Sequence, residues 1–368
     1  MASATTPSCG MAHVHVLGHP TLPLRIEAAP ADAQVFNAHN LCLLLSRAGV
    51  PYTYYGMEDS VLPSGGRFVS LGRTRRRWAY RNAWHHDYTR RLQEALRAHR
   101  DPSLGPQVVL ALYGAAHSDV DCSPWPVVEA MVGYDHCWAP YRVFPSYAHQ
   151  HVLYANPAPR IQDYKWFDTV IPHFVDAEEY RVSPERDDYA LFLGRDAADK
   201  GIGIAREVCA RTGMPLRAVH DGVWGAAKTA LLSRARLVLM PTLYVEPFGY
   251  VAIEAQMCGV PVVTTDWGAF AETVEEGLSG FRCRTLAEFV AAVHRSSGLA
   301  PAPIRERARR LYSIEAVMAD YLSYFDFVWN THRNGGYYAP DALRRPLSVG
   351  RPGPSCRDRR TLEISDAE

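Results

Sequence analysis

Several absences narrow what this chain can be. No run of about 18 or more apolar residues occurs, so no segment reads as a transmembrane helix. The 39 basic and 39 acidic residues cancel, and no net field draws the protein to nucleic acid or to an anionic membrane. None of the eight cysteines forms a C-x-x-C pair. Several lie in apolar patterns, as Cys42 does in Asn-Leu-Cys-Leu-Leu-Leu, and they read as reduced core residues of a cytoplasmic protein. The stretch from Met1 to Gly10 lacks the basic and apolar regions of a signal peptide. It reads as a disordered leader, with Met11 an alternative start. The histidine pairs His13/His15, His85/His86 and His149/His151 lack the helical spacing and adjacent acid of a known metal pattern, so no metal site is expected. No internal repeat is present.

What remains is the composition of a globular protein, 48% hydrophobic and 21% charged over 368 residues, enough for two domains with separate cores. His13-Val-His-Val-Leu-Gly18 reads as a first strand ending in a turn. An apolar helix follows from Ala38 to Ala48, then a second strand over Pro51–Gly56. Arg73-Thr-Arg-Arg-Arg77 is a basic loop, read as a solvated face or a contact for an anionic lipid or phosphate, and a polar helix runs on to about Arg100. Gln107-Val-Val-Leu-Ala-Leu-Tyr-Gly114 is a buried strand opening into a small-residue loop with His117. Strand–helix–strand order of this kind predicts a parallel, doubly wound sheet.

Val170-Ile-Pro172-His-Phe-Val-Asp176 reads as the last strand of the first domain. A second domain then starts with a strand over Tyr189–Arg195 and a helix from about Ile202. A strand over Leu216–His220, a helix over Ala226–Ala235 and a buried strand over Leu237–Met240 follow. Ile314 to Trp329 reads as a long aromatic-rich helix, and the stretch beyond Tyr338 as a mobile tail rich in Pro, Arg, Gly and Ser.

The densest chemistry lies between these elements. In Glu246-Pro-Phe-Gly249-Tyr-Val-Ala-Ile-Glu254-Ala, a loop carboxylate precedes a turn, a helix start and a second carboxylate. A helix opening after Gly249 points its unpaired N–H groups at the loop, which makes an anion site suited to a diphosphate. Glu254, within about two turns of that end, can accept from sugar or ribose hydroxyls. Arg195 and Lys200 follow the second domain's first strand, at the edge where open α/β sheets bind ligands, and can neutralise phosphate charge.

Glu246-Pro-Phe-Gly-x4-Glu254-Ala-x3-Gly259-x-Pro261-Val resembles the E-x7-E signature of retaining nucleotide-sugar glycosyltransferases of family 4. The similarity extends through Asp266-Trp-Gly268 to Glu272, through Gly277-x-x-Gly280-Phe281, and upstream to Leu193-Gly194-Arg195-x4-Lys200-Gly201 and Val170–Asp176. It is dense from about residue 165 to 290 and thin before that. The resemblance implies an α/β protein of GT-B fold, two Rossmann-like doubly wound domains facing a central cleft. Residues 11–180 would bind the acceptor and residues 181–313 the nucleotide sugar. Residues 314–335 would be a helix packing back on the first domain, and 336–368 the tail.

By the same resemblance Glu246 holds the transferred sugar and Glu254 the ribose. Phe248, Gly249 and Tyr250 offer backbone N–H groups, and Gly194 belongs to the matched loop. Arg195 and Lys200 replace a divalent metal, and no cofactor is implied beyond the nucleotide-sugar co-substrate. Gly18 fits a close backbone approach of ligand, and His117 a contact near the reacting carbon. The acceptor, whether saccharide, lipid or small molecule, is not legible, although peripheral membrane contact is compatible with the chain. Against the family pattern, the strand ending at His220 runs almost directly into Asp221-Gly-Val-Trp-Gly225. About one strand and its loops are missing, which shortens one flank of the nucleotide site and leaves a non-catalytic nucleotide-sugar-binding protein as the alternative. An epimerase of this fold would need a further carboxylate pair across the cleft, and the first domain offers none.

Overall fold

Residues 10–28, 32–73, 78–135, 137–155, 166–220 and 223–336 are described by a computed structural model of the chain. They build two parallel sheets. The first contains β1 (His13–Leu17), β2 (Tyr52–Gly56), β3 (Gly66–Ser70), β4 (Gln107–Ala111), β5 (Val127–Glu129), β6 (Tyr141–Phe144) and β7 (Thr169–Val170). Their spatial order is β3-β2-β1-β4-β5-β6-β7. The second contains β8 (Ala190–Leu193), β9 (Leu216–Val219), β10 (Leu237–Met240), β11 (Val262–Thr265) and β12 (Gly280–Cys283), in the order β12-β11-β10-β8-β9. All pairings between strands are parallel. Near-continuous apolar strands such as Gln-Val-Val-Leu-Ala and Leu-Val-Leu-Met are what a sheet covered on both faces requires.

Helices α1 (Ala33–Arg47), α2 (Ala83–Ala98) and α3 (Tyr147–Ala155) accompany the first sheet. The second carries α4 (Ile202–Thr212), α5 (Gly225–Arg234), α6 (Tyr250–Met257), α7 (Phe270–Thr273), α8 (Leu286–Ser296) and α9 (Pro301–Tyr312). The starts follow local capping chemistry. Asp32 accepts from the N–H groups of Gln34 and Val35 at 2.9 and 3.0 Å, and this cap starts α1 five residues before the expected Ala38. Thr285 and Glu288 form a reciprocal capping box at α8.

Two other expectations change. The segment expected as a strand over Val170–Asp176 pairs with β6 only at Thr169 and Val170. Beyond Val170 the chain crosses between domains, bridging from Val175 to Ser313. Four strands, β3, β5, β6 and β12, were not foreseen.

The last helix, α10 (Ile314–Arg333), leaves the second domain. Its Ile314, Val317, Tyr321, Leu322, Phe325 and Val328 join the core that contains Val14, Val16, Leu41, Val108 and Leu110 of the first domain. The second domain has its own cores on the two faces of its sheet. Arg73 of the basic loop pairs with Glu58 and Asp59 at 3.1 Å each; residues 74–77 and the tail beyond residue 336 lie outside the described residues. No described helix is long and apolar enough to cross a membrane. Six cysteines among the described residues are free, five of them buried.

Candidate functional site

A cavity of about 350 Å³ opens between the two domains. From the second domain it is lined by Gly194, Arg195, Lys200, Glu246, Phe248, Gly249, Tyr250 and Glu254 among others, and from the first by Gln34, Asn37, Tyr134 and His173. The cations and both carboxylates expected to meet one ligand thus share one space, at the C-terminal edge of the second sheet.

Each group is placed by its local backbone. Gly194 follows β8, and its N–H is held by the carbonyl of Val219 at 3.1 Å. A short 3-10 turn over Ala198–Lys200 then delivers Lys200, and Gly201 starts α4 with φ of 76°. A β-carbon on Gly201 would lie 2.0 Å from the carbonyl oxygen of Pro241, so only glycine lets the two loops meet. Lys200 Nζ reaches Glu246 Oε2 at 3.2 Å and also contacts the Tyr244 hydroxyl, which donates to the same carboxylate oxygen at 2.7 Å. Burial and the Glu246 charge push the Tyr244 phenol upward, so it stays a protonated donor. Arg195 is largely solvent-exposed and loosely paired with Asp199 at 3.5 Å, so its guanidinium is free to turn to a ligand.

The turn before α6 is built around Gly249, whose φ is 84° and whose N-terminal helix end carries no side-chain cap. Its first-turn N–H groups therefore face the loop with the helix dipole behind them. Behind the loop, Ala269 N–H donates to the Glu246 carbonyl at 2.9 Å. Glu254 is fully buried. Its Oε1 accepts from Lys228 at 2.6 Å and from the Tyr180 hydroxyl at 2.9 Å, while Oε2 has no partner.

His117 and Gly18 do not line the cavity. His117 is wholly buried, its Nε2 lying 3.1 Å from the Gly18 carbonyl and 2.9 Å from the Tyr88 hydroxyl. Desolvation lowers its pKa to about 3, so it is a neutral imidazole. At Gly18 a β-carbon would lie 2.5 Å from the Tyr55 carbonyl; the close approach there is made by the neighbouring strand. The expected acceptor-side contacts are replaced in the lining by others. His173, buried and lowered by desolvation to about 3, stacks on Tyr250 with ring centres 5.2 Å apart. The Tyr250 hydroxyl bonds Asn37 across the cleft.

Lys228, Trp224, Tyr244 and His173 were missed from sequence. A lysine one turn before buried Leu232, on the same helix face, was the available signal for Lys228. Tyr244 lies only two residues before the carboxylate it bonds, a neighbourhood that was open to reading; His173 carried no signal, because Phe248 and Tyr250 are remote in the chain. Among the described residues, no group of three or more His, Cys, Asp or Glu is arranged to hold a metal.

Among the described residues no strand lies between β9 and α5. Strand β9 is the sheet edge, half exposed, and α5 begins six residues after it, with residues 221 and 222 outside the described set.

Two parallel doubly wound domains joined by a crossing segment and a returning final helix, with a cavity between them, define the GT-B fold. Solved structures share it. A glycosyltransferase involved in avilamycin A biosynthesis aligns at a TM-score of 0.69 with 18% identity, over 87% of this chain and 98% of that one. Sucrose-phosphate synthase from Thermosynechococcus elongatus aligns at 0.64 with 15% identity, over 87% and 100%. HepE of Anabaena, solved with UDP and glucose, aligns at 0.59 with 14% identity, over 84% and 98%.

Residues 208–297 match the profile of a family described as glycosyl transferases group 1, so the resemblance read from the motifs stands over that segment. Glycogen synthase of Mycobacterium tuberculosis is 45% identical over 82 residues, which is 22% of this chain and 19% of that protein. The chain thus matches only about a fifth of the length of that curated relative.

Proposed function

We propose that this protein is a retaining glycosyltransferase that moves a sugar from a nucleotide-diphosphate sugar to an acceptor without a metal. The observation that carries the reading is the meeting of Arg195, Lys200, Glu246 and Glu254 on one interdomain cavity at the uncapped start of α6. The leaving diphosphate would lie against that helix end, with Lys200 and Arg195 stabilising the charge that builds up on it. Glu246 would hold hydroxyls of the transferred sugar and Glu254 those of the ribose. The backbone N–H groups of Phe248, Gly249 and Tyr250 would meet the phosphate or the sugar. His173 and His117 are both neutral, and among the described residues no strongly basic group of the first domain lines the cavity. This suits a front-face reaction in which the departing phosphate takes the acceptor's proton. The match to group 1 glycosyl transferases and the UDP-bound structure of a protein with the same fold support the donor class.

The test is release of nucleoside diphosphate from UDP-, GDP- and ADP-sugars. Turnover with at least one donor is expected, and Glu246→Ala should lose at least about a hundredfold, the scale of removing one group that acts at the reacting sugar. Binding of a donor without turnover would favour the non-catalytic alternative raised by the short segment after β9. Failure to bind any of the three would end the donor reading.

A further inference from the structure

Only three of the 39 cationic residues are lysines, at positions 165, 200 and 228. Position 165 lies outside the described residues. The other two line the same cavity, and each is paired with one of its two glutamates, Lys200 with Glu246 and Lys228 with Glu254. A chain that uses arginine nearly everywhere else keeps the compact ammonium at these two places.

Lys228 has the more demanding position. It is 8% exposed, its Nζ lies 2.6 Å from Glu254 Oε1 and 4.5 Å from the centre of the Trp224 ring. Burying such a pair is seldom a net gain in stability over an apolar packing of similar volume. The pair also leaves its surroundings unfinished. Glu254 Oε2 has no hydrogen-bond partner, and neither has the buried Trp224 Nε1. One free acceptor and one free donor therefore belong to the two residues that hold the Lys228 ammonium, and all three residues line the cavity. Two orphaned groups of this kind are costly in an empty core and are accounted for by a ligand that carries both a hydroxyl and an acceptor atom.

We infer that Lys228 is a positioning residue for the nucleoside of the donor. It holds Glu254 by Oε1 and Trp224 by its ring face, leaving Oε2 to accept a ribose hydroxyl and the indole N–H to donate to the nucleoside. The inference rests on the donor reading above and adds a division of labour. Lys200 and Arg195 serve the diphosphate, while Lys228 and Trp224 serve only what lies beyond it.

Calorimetric titration with UDP, GDP, ADP and inorganic diphosphate separates the two ends. In Trp224→Phe, which keeps the ring under the ammonium, affinity for the best nucleoside diphosphate should fall about tenfold, as one buried hydrogen bond requires. Lys228→Met should lose at least as much. Inorganic diphosphate should bind both variants as it binds the unmodified protein. Equal losses for the nucleoside diphosphate and inorganic diphosphate would mean general damage to the cavity and would overturn the inference. So would unchanged nucleoside diphosphate affinity in Trp224→Phe, which decides the matter even where Lys228→Met fails to fold. If the unmodified protein bound none of the three nucleotides, the donor reading itself would fall and the inference with it.

Discussion

At the scale of single residues, charge is handled mainly by burial. Glu129 is the clearest case. Its carboxylate accepts from the N–H groups of Trp138 and Ala139 at 2.7 and 2.8 Å and from the Tyr134 hydroxyl at 3.1 Å. It thereby pins the loop that carries Tyr134 into the cavity wall. Burial pushes its pKa from 4.5 up to about 7, against the pull of those N–H groups. Between these two values the folded protein keeps a proton that the unfolded chain has released. Stability therefore falls as pH rises through that window, with the full loss present above pH 7, at a slope of up to about 1.4 kcal/mol per pH unit. Glu129→Gln should flatten this slope while leaving the loop in place. Urea denaturation of both proteins at pH 5 and pH 8 would show it, and an identical pH response would refute the assignment. Buried His15, His117 and His173, lowered to about 4, 3 and 3 by desolvation, act with the opposite sign. Each adds stability above pH 6.5 that is lost on acidification, and each cancels in the comparison of the two proteins at equal pH.

At the scale of elements, the second domain relies on turns that only glycine can make. Gly201→Ala combines a left-handed φ with a contact to the Pro241 carbonyl. It should destabilise the protein by at least about 2 kcal/mol, read as a shift in denaturation midpoint, and should weaken donor binding by displacing Lys200. Variants at Gly203, where a β-carbon meets nothing, should be far milder. This scale also shows what the sequence can reveal. The Glu246–Gly259 motif was readable because loop, turn and helix are contiguous, so its geometry is set by neighbours. The start of α1 was misplaced because Ala33–Asn37 lacks the apolar density of Leu41–Leu45, and Asp32 decided the matter. Strand β5 has three residues and β3 is half exposed, too short or too mixed to show a period. His117 follows a strand as a ligand-facing histidine would, but Tyr88, brought in by α2, turns it into the core. The Lys228–Glu254 pair joins residues 26 apart on different helices, beyond the reach of any local pattern.

At the scale of the whole molecule, the two lobes are clasped by several hydrogen bonds. Tyr250 meets Asn37. Ser146 donates to the Pro247 carbonyl at 2.7 Å, and Glu272 of the second lobe accepts from the N–H groups of Tyr147 and Ala148 at 3.0 and 2.8 Å. Glu272 thus caps α3 of the opposite lobe, and Ala269, three residues before it, holds the Glu246 backbone. Removing a cap of this type costs about 1 kcal/mol. Glu272→Ala should therefore speed amide hydrogen exchange at Tyr147 and Ala148 by roughly fivefold without unfolding either sheet; unchanged rates would show that the clasp is idle. The return of α10 to the first lobe has a consequence for synthesis. Tyr321, Phe325 and Val328 fill a hollow that residues before 180 leave open, so the leading portion of the polypeptide emerges from the ribosome unable to finish its own interior. It must wait, partly exposed, until the ribosome has also made α10.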